Sequence, residues 1–321
     1  MIQESFFSKE AIQGLGPLNQ PIYGIEQILE NEKTRKPANL YPKDFDLHKD
    51  NLLICGDNAE VMQRLLDMNG GKPFADLIYI DPPFCSNRNY DVKGFDQRGF
   101  KDKWESGLSS YLPWLMDRLK LMKSILKENG TLLVHLDWHA AHYVKVELDK
   151  LFGYSKFGNE IIWCYAGGGI SKGDFPKKHD TILRYKNSNE ATYNPEMREY
   201  SESTLAVGRH SLTSGGGELN PKGTPINDWW ADLKRLTSYN KEWIGYSTQK
   251  PEAIVERIIR ACSNEGDLVA DFFIGSGTTC AVAQKLGRRW LGVDQNPQAI
   301  EVAKNRIKKL NSEFKILEQK K

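Results

Sequence analysis

The run Asp76-Leu77-Ile78-Tyr79-Ile80-Asp81-Pro82-Pro83-Phe84 constrains this chain more than any other stretch. Apolar, β-branched and aromatic residues end in an acid, two prolines and an aromatic, which predicts a buried strand delivering a rigid turn at its C-terminal end. Each proline lacks a backbone N–H, fixes its own φ and restricts the residue before it. The turn therefore offers carbonyls, one carboxylate and an aromatic face. That set suits a planar amino group: carboxylate and carbonyl accept its two hydrogens while the ring stacks on its plane. A proline-stiffened strand exit with a solvated acid and a core phenylalanine carries the same four letters, so the reading depends on the rest of the chain.

The rest alternates. Asn51 to Asp57 reads as a short strand ending in Gly-Asp, and Val61, Leu65, Leu66 and Met68 recur at helical spacing before Asn69-Gly70-Gly71 closes that helix. With the Asp76 strand this makes a βαβ unit, which predicts neighbouring parallel strands. Cys85 to Trp104 reads as a long polar loop beside the turn, where lids and substrate-contact loops tend to lie. Tyr111 to Lys127 is an amphipathic helix stopped by Glu128-Asn129-Gly130, and Thr131 to Asp137 is another buried strand. A helix from His139 to Phe152 and a strand from Glu160 to Tyr165 continue the alternation.

From Gly167 to about Tyr246 the periodicity breaks down. Lys177, Lys178, Arg184, Lys186, Arg198, Arg209, Lys222, Lys234 and Arg235 mix there with Tyr193, Tyr200, Trp229 and Trp230, and with the glycines at 167–169 and 215–217. Basic residues interleaved with aromatics suit a nucleic-acid backbone and its bases, although Glu196, Glu199, Glu202, Asp228 and Asp232 also fit an ordinary surface insertion. Over all 321 residues, 44 Lys and Arg against 42 Asp and Glu leave a formal charge of +2, so any basic face must be local.

Five scattered cysteines without C-x-x-C spacing argue against a zinc site and a disulfide framework. Cys85 follows the proline turn, yet a nucleophilic thiol needs an environment that lowers its pKa, and nothing in the sequence supplies one. His135, His139 and His142 lack the glutamate of a zincin motif, so packing or hydrogen bonding is expected of them and no metal. The first residues carry no basic region followed by an apolar core, and no run reaches transmembrane length, which sets the expectation of a cytoplasmic protein.

A second motif lies far downstream. Asp267 to Thr279 reads as a strand, a glycine turn and a helix start, and Trp290 to Asp294 as a strand ended by an acid. This is the layout of a nucleoside-binding half of a doubly wound sheet, with glycines for backbone approach and a carboxylate for ribose hydroxyls. Gly275-Ser276-Gly277-Thr278-Thr279 lacks the third glycine of a dinucleotide fingerprint and the lysine of a phosphate-binding turn, which favours a nucleoside without pyrophosphate, commonly S-adenosylmethionine. A methyltransferase-type sheet runs glycine strand, ribose-acid strand, adenine-side acid strand, catalytic strand. Joined end to start, the chain gives Asp271 and Gly275, then Asp294, then Asp57, then Asp81 in that order, so the sheet is read as circularly permuted.

With Asp81 to Phe84, Asp271 to Thr279 and Thr248-Gln249-Lys250-Pro251 in place, the sequence resembles the bacterial amino-group DNA methyltransferases of the permuted beta class, which include modification subunits of restriction systems. The likeness spans roughly residues 50 to 310. It implies an α/β fold: a doubly wound, mostly parallel, circularly permuted Rossmann-like sheet with an inserted recognition region. The expected organisation is an arm (1–50), a catalytic half (51–186), a target-recognition insertion (187–245), a cofactor-binding half (246–310) and a frayed tail (311–321).

The resemblance assigns catalysis to Asp81, Pro82, Pro83 and Phe84. Cofactor binding falls to Asp57, Asp81, Thr248, Gln249, Lys250, Asp271, Phe272, Phe273, Gly275, Ser276, Gly277, Thr278 and Asp294, with Thr248 to Lys250 at the methionine end of S-adenosylmethionine. Double-stranded DNA is the expected substrate, met by Lys177, Lys178, Lys234 and Arg235; a homodimer and a paired restriction endonuclease fit the same family. An aspartate opening the turn leans toward adenine N6 over cytosine N4, and Phe84 stands where tyrosine is commoner. A protein or RNA methyltransferase, a DNA-binding partner without activity and a dehydrogenase are the competing readings.

Overall fold

Strand alternation dictates where the two cores form. In the computed structural model, which describes residues 35–86, 88–91, 98–102, 104, 106–167, 172–208 and 217–320, neighbouring residues of each central strand face opposite layers. The arm before residue 35, Phe95, Lys103, the glycines at 168–169 and 215–216, and Arg209 lie outside the described residues.

The strands are β1 (Asn39–Tyr41), β2 (Leu52–Cys55), β3 (Ala75–Ile80), β4 (Arg88–Asp91), β5 (Arg98–Asp102), β6 (Leu126–Leu136), β7 (Phe157–Cys164), β8 (His179–Lys186), β9 (Met197–Arg198), β10 (Thr224–Pro225), β11 (Trp229–Trp230), β12 (Leu268–Asp271), β13 (Arg289–Asp294) and β14 (Lys315–Lys320). The helices are α1 (Asn58–Met68), α2 (Leu108–Ile125), α3 (Ala141–Phe152), α4 (Glu202–Val207), α5 (Glu252–Cys262), α6 (Thr278–Lys285) and α7 (Pro297–Lys308). Ten strands make one sheet in the order β1-β14-β2-β13-β12-β3-β6-β8-β7-β11. Leu52, Ile54, Ile78 and Ile80 pack with α1, α2 and α3 on one face; Leu53, Leu77 and Tyr79 pack with α5, α6 and α7 on the other. This is the doubly wound three-layer form, and β3, buried on both faces, reads as a continuous apolar run for that reason.

Four expectations need correction. The strands before and after α1 are not neighbours, because β13 and β12 lie between β2 and β3. Permutation places two strands from the chain's far end inside that crossover. The tail is not frayed: β14 pairs parallel with β2, Leu317 is fully buried, and β1 closes that edge. The loop after the proline turn contains an antiparallel hairpin, β4 with β5. The irregular stretch contains β8, an eight-residue strand antiparallel to both β6 and β7. Arg184 on that strand and Trp230 on β11 are buried, so neither can grip a ligand from the surface.

Candidate active site and nucleic-acid face

All the central strands from β2 to β6 run parallel, so their C-terminal ends share one edge. That edge carries Cys55-Gly56-Asp57, Asp294, Asp271 and Asp81, the four signals that sequence order had aligned. Open α/β sheets bind ligands there.

At the end of β3, Lys250 Nζ lies 2.7 and 2.6 Å from the two carboxylate oxygens of Asp81 and 4.9 Å from the centre of the Phe84 ring. Both side chains are largely buried, 13% exposed for Lys250 and 19% for Asp81, so the pair is screened little by solvent. Phe84 stacks near-parallel on His135 with ring centres 6.2 Å apart. His135 is fully buried in a polar chain: its Nδ1 meets the Tyr79 hydroxyl at 2.8 Å and its Nε2 meets Asp180 at 3.1 Å, while Tyr165 donates to the other oxygen of Asp180 at 3.0 Å. Burial would push the Asp180 carboxyl up; the hydrogen bond and charge of His135 outweigh it and hold it below the ordinary range. Cys85 is no nucleophile, because burial first, and then the charges of Asp102 and Asp137, push its thiol up to about 11.

Beside this turn the glycine turn is folded by two carboxylates. Asp271 accepts from Thr279 Oγ1 at 2.6 Å and from the Phe273 N–H at 2.9 Å, yet full burial pushes its carboxyl up to about 7. Asp294 accepts the Gly275 N–H at 3.0 Å through one oxygen and the Asn296 N–H at 2.9 Å through the other, and burial raises it as well. Gly275 sits at φ 46°, and a Cβ there would come 3.4 Å from the Tyr246 ring, so the glycine leaves open space between turn and ring.

A cleft of about 530 Å³ joins the two turns, with Trp104, Trp114, Phe273 and Tyr246 as aromatic walls. Of the residues expected at catalysis or cofactor binding, only Asp57, Gln249 and Gly277 stay off its lining. Asp57 caps α1 through the Ala59 and Glu60 N–H groups and takes Arg118 at 3.0 Å; Arg118 itself reaches the cleft and lies over Trp114 at 4.3 Å. Gln249 braces the preceding loop, donating to the Glu242 carbonyl at 2.7 Å and accepting the Ile244 N–H at 3.0 Å. Gly277 faces α7, where a Cβ would meet Ala303 at 2.8 Å. Sequence reasoning missed Asn58, Trp104, Trp114 and Arg118 as cleft residues. Trp114 and Arg118 sit on a helix whose periodicity speaks only of core packing, and no motif marks them.

The cleft fits an adenosyl amino acid. It offers aromatic walls for a purine, Asp294 at the ribose position of the sheet, and the Gly275 gap that any side chain would fill.

Because β7 is antiparallel to β8, and β8 to β6, β7 and β11 point the same way as β3. The end of β7, the start of β8 and the segment after β11 therefore rise on the same edge as Asp81. Lys178 Nζ donates to the Gly167 carbonyl at 2.6 Å, and Arg235 lies over Gly167. Lys177 is exposed and sits 4.1 Å above the Trp138 ring, while Lys234 is exposed beside Arg235. Phe175, almost fully exposed, adds an aromatic face to this rim.

Sheet order, proline turn and glycine turn together define an amino-group methyltransferase of the permuted kind. The chain belongs to the N6/N4 DNA methylase family, whose pattern matches residues 75–305. It is 32% identical over 267 residues to the type II methyltransferase M.HpaI of Haemophilus parainfluenzae, covering 83% of this chain and 76% of that one. It is 29% identical over 239 residues to the DNA adenine methyltransferase YhdJ of Escherichia coli, covering 72% of this chain and 76% of the relative. The solved M1.HpyAVI–SAM complex shares the fold with a TM-score of 0.53 at 18% identity, covering 80% of this chain and 98% of that one. The cytosine-N4-specific PvuII DNA methyltransferase shares it with a TM-score of 0.55 at 16% identity, over 87% and 93%.

Proposed function

We propose that this chain methylates adenine at N6 within a specific DNA sequence, on a base drawn out of the duplex, with S-adenosylmethionine as methyl donor. The observation that carries the reading is that the Asp81–Phe84 turn and the Gly275–Asp294 turn open into one cleft. When bound there, S-adenosylmethionine supplies an electrophilic methyl group.

The protein's part is positioning and polarisation. An aromatic amine donates its lone pair into its ring, so it attacks poorly. Asp81 and the Pro82 carbonyl accept its two N–H bonds, favouring a pyramidal nitrogen, and Phe84 stacks on the base. On taking up the methyl group the amine would shed one proton, toward the Asp81 carboxylate or solvent. Lys250 holds Asp81 aimed along this path. Drawing the base from the stack costs a few kcal/mol, repaid by these contacts. Thr248 and Asp294 serve the cofactor; Lys177, Lys178, Lys234 and Arg235 meet phosphates.

The adenine assignment rests on the leading aspartate of the turn and on the adenine methyltransferase among the relatives. Pairing with a restriction endonuclease and work in the cytoplasm, where bacterial DNA lies, belong to the same reading, and a type II methyltransferase among the relatives supports the first. Among the described residues no helix is long and apolar enough to cross a membrane. Labelled methyl transfer to unmethylated genomic DNA, followed by nucleoside identification, tests this: N6-methyladenine is expected. N4-methylcytosine would overturn the base, and no label in DNA would overturn the substrate.

A further inference from the structure

We propose that Asp102 is a positioning residue of this site, a buried carboxylate that sets the catalytic turn and the cofactor wall in one grip. Resting on the function proposed above, it names what holds Phe84 in place. Two successive prolines supply no N–H to anchor the turn. The chain leaves it through Cys85 at φ 61°, in the left-handed region that L side chains rarely adopt. Something outside the turn has to hold that geometry.

Asp102, fully buried at the end of β5, accepts four donors. One oxygen takes the Cys85 N–H and the Trp104 indole N–H, each at 3.0 Å. The other takes the Ser86 N–H and its hydroxyl, both at 2.6 Å. The carboxylate thereby fixes the residue after Phe84. It also seats the Trp104 ring against Tyr111 and Trp114, at 5.0 and 4.9 Å between ring centres, and Trp114 packs on Phe273 of the glycine turn at 5.7 Å. Because every partner is a donor, the site needs two acceptor oxygens. Asparagine matches the shape but turns an amide NH₂ toward two donors.

Steady-state kinetics of D102N on DNA carrying the mapped target site, beside direct S-adenosylmethionine binding, test the proposal. D102N should lose about 30-fold or more in kcat and raise the cofactor Kd about threefold or more, since turn and Trp104 wall loosen together, with KM for DNA within about threefold of wild type as the fold persists. In the double variant D102N/C85G, glycine adopts the left-handed turn without help, and at least about a third of the lost factor should return on a logarithmic scale. A structural role alone would lower active fraction without that rescue. A kcat for D102N within threefold of wild type, or no rescue by C85G, overturns the proposal. Should D102N fail to fold, S86A removes a single donor and should lose about three- to tenfold in kcat at unchanged cofactor affinity. An unchanged kcat for S86A overturns the proposal too. If wild-type protein transfers no methyl to DNA, it is the parent function that falls, a result separate from any variant comparison.

Discussion

Lys250 Nζ bridges both carboxylate oxygens of Asp81, at 2.7 and 2.6 Å, across a sequence separation of 169 residues. A carboxylate so engaged still has lone pairs for an incoming amine, and the ammonium fixes the direction in which they point. Lys250→Met removes the aim without removing the acceptor, so kcat is expected to fall about 100-fold, in the range seen when one preorganised polar group is lost. Asp81→Ala should abolish transfer outright while isothermal titration still detects S-adenosylmethionine. Loss of cofactor binding in Asp81→Ala would mean that the turn is structural.

Asp294 spends its carboxylate on the Gly275 and Asn296 N–H groups and lines the cleft, where the proposed function gives it the ribose of the cofactor. Asp294→Ala should raise the cofactor Kd roughly 10- to 100-fold, as expected for losing hydrogen bonds to a charged group. Equilibrium dialysis reads this directly, and an unchanged Kd removes the residue from the cofactor site.

Asp271 gives the protein a pH signature. Burial raises its carboxyl to about 7 from an ordinary 3.8, so the folded state favours the protonated form. Stability from this group is complete below the unfolded value and is lost as pH rises through the folded one, between about pH 4 and 7. The amount at stake is of the order of 4 kcal/mol. Asp271→Asn can keep its carbonyl on the Phe273 N–H, turn its NH₂ to the Thr279 hydroxyl oxygen and cannot ionise, so denaturant midpoints of the variant should decline less than wild type between pH 5 and 8. Parallel profiles would count against a shifted Asp271.

Charge reversal at Lys234 and Arg235 should weaken DNA binding and flatten its salt dependence. Each lost phosphate contact lowers the slope of log K against log salt by about 0.9. Filter binding at several salt concentrations measures it; an unaltered slope takes this pair off the interface. Arg235 lies beside Gly167, on the edge that carries Asp81, and Lys234 is its exposed neighbour, which is why this pair is chosen over Arg184, which the sheet buries.

Motif order alone made the permuted sheet legible: Asp271, Asp294, Asp57 and Asp81 could be placed on successive strand ends before any coordinates, because a buried strand and the turn it delivers are written in contiguous residues. Local patterning also marked α1 and, with errors at their ends, α2 and α3. It mistook β14 for a frayed tail, since a strand whose polar residues bond across the sheet, as Gln319 does to the Asp57 N–H at 2.8 Å, looks like a solvated terminus. It passed over Asp102, Trp114 and Arg118 for a related reason.

What the sequence by itself determined is the chemistry available and the order of the strands that present it, since turn residues and strand periodicity act over a few positions. What only the tertiary structure decided is who meets whom: Lys250 on Asp81, Asp102 on Cys85 and Ser86, Arg118 between Asp57 and the cleft. Those contacts arise where parallel strands from opposite ends of the chain are brought side by side, and their partners are chosen by sheet order and register, which no local pattern encodes.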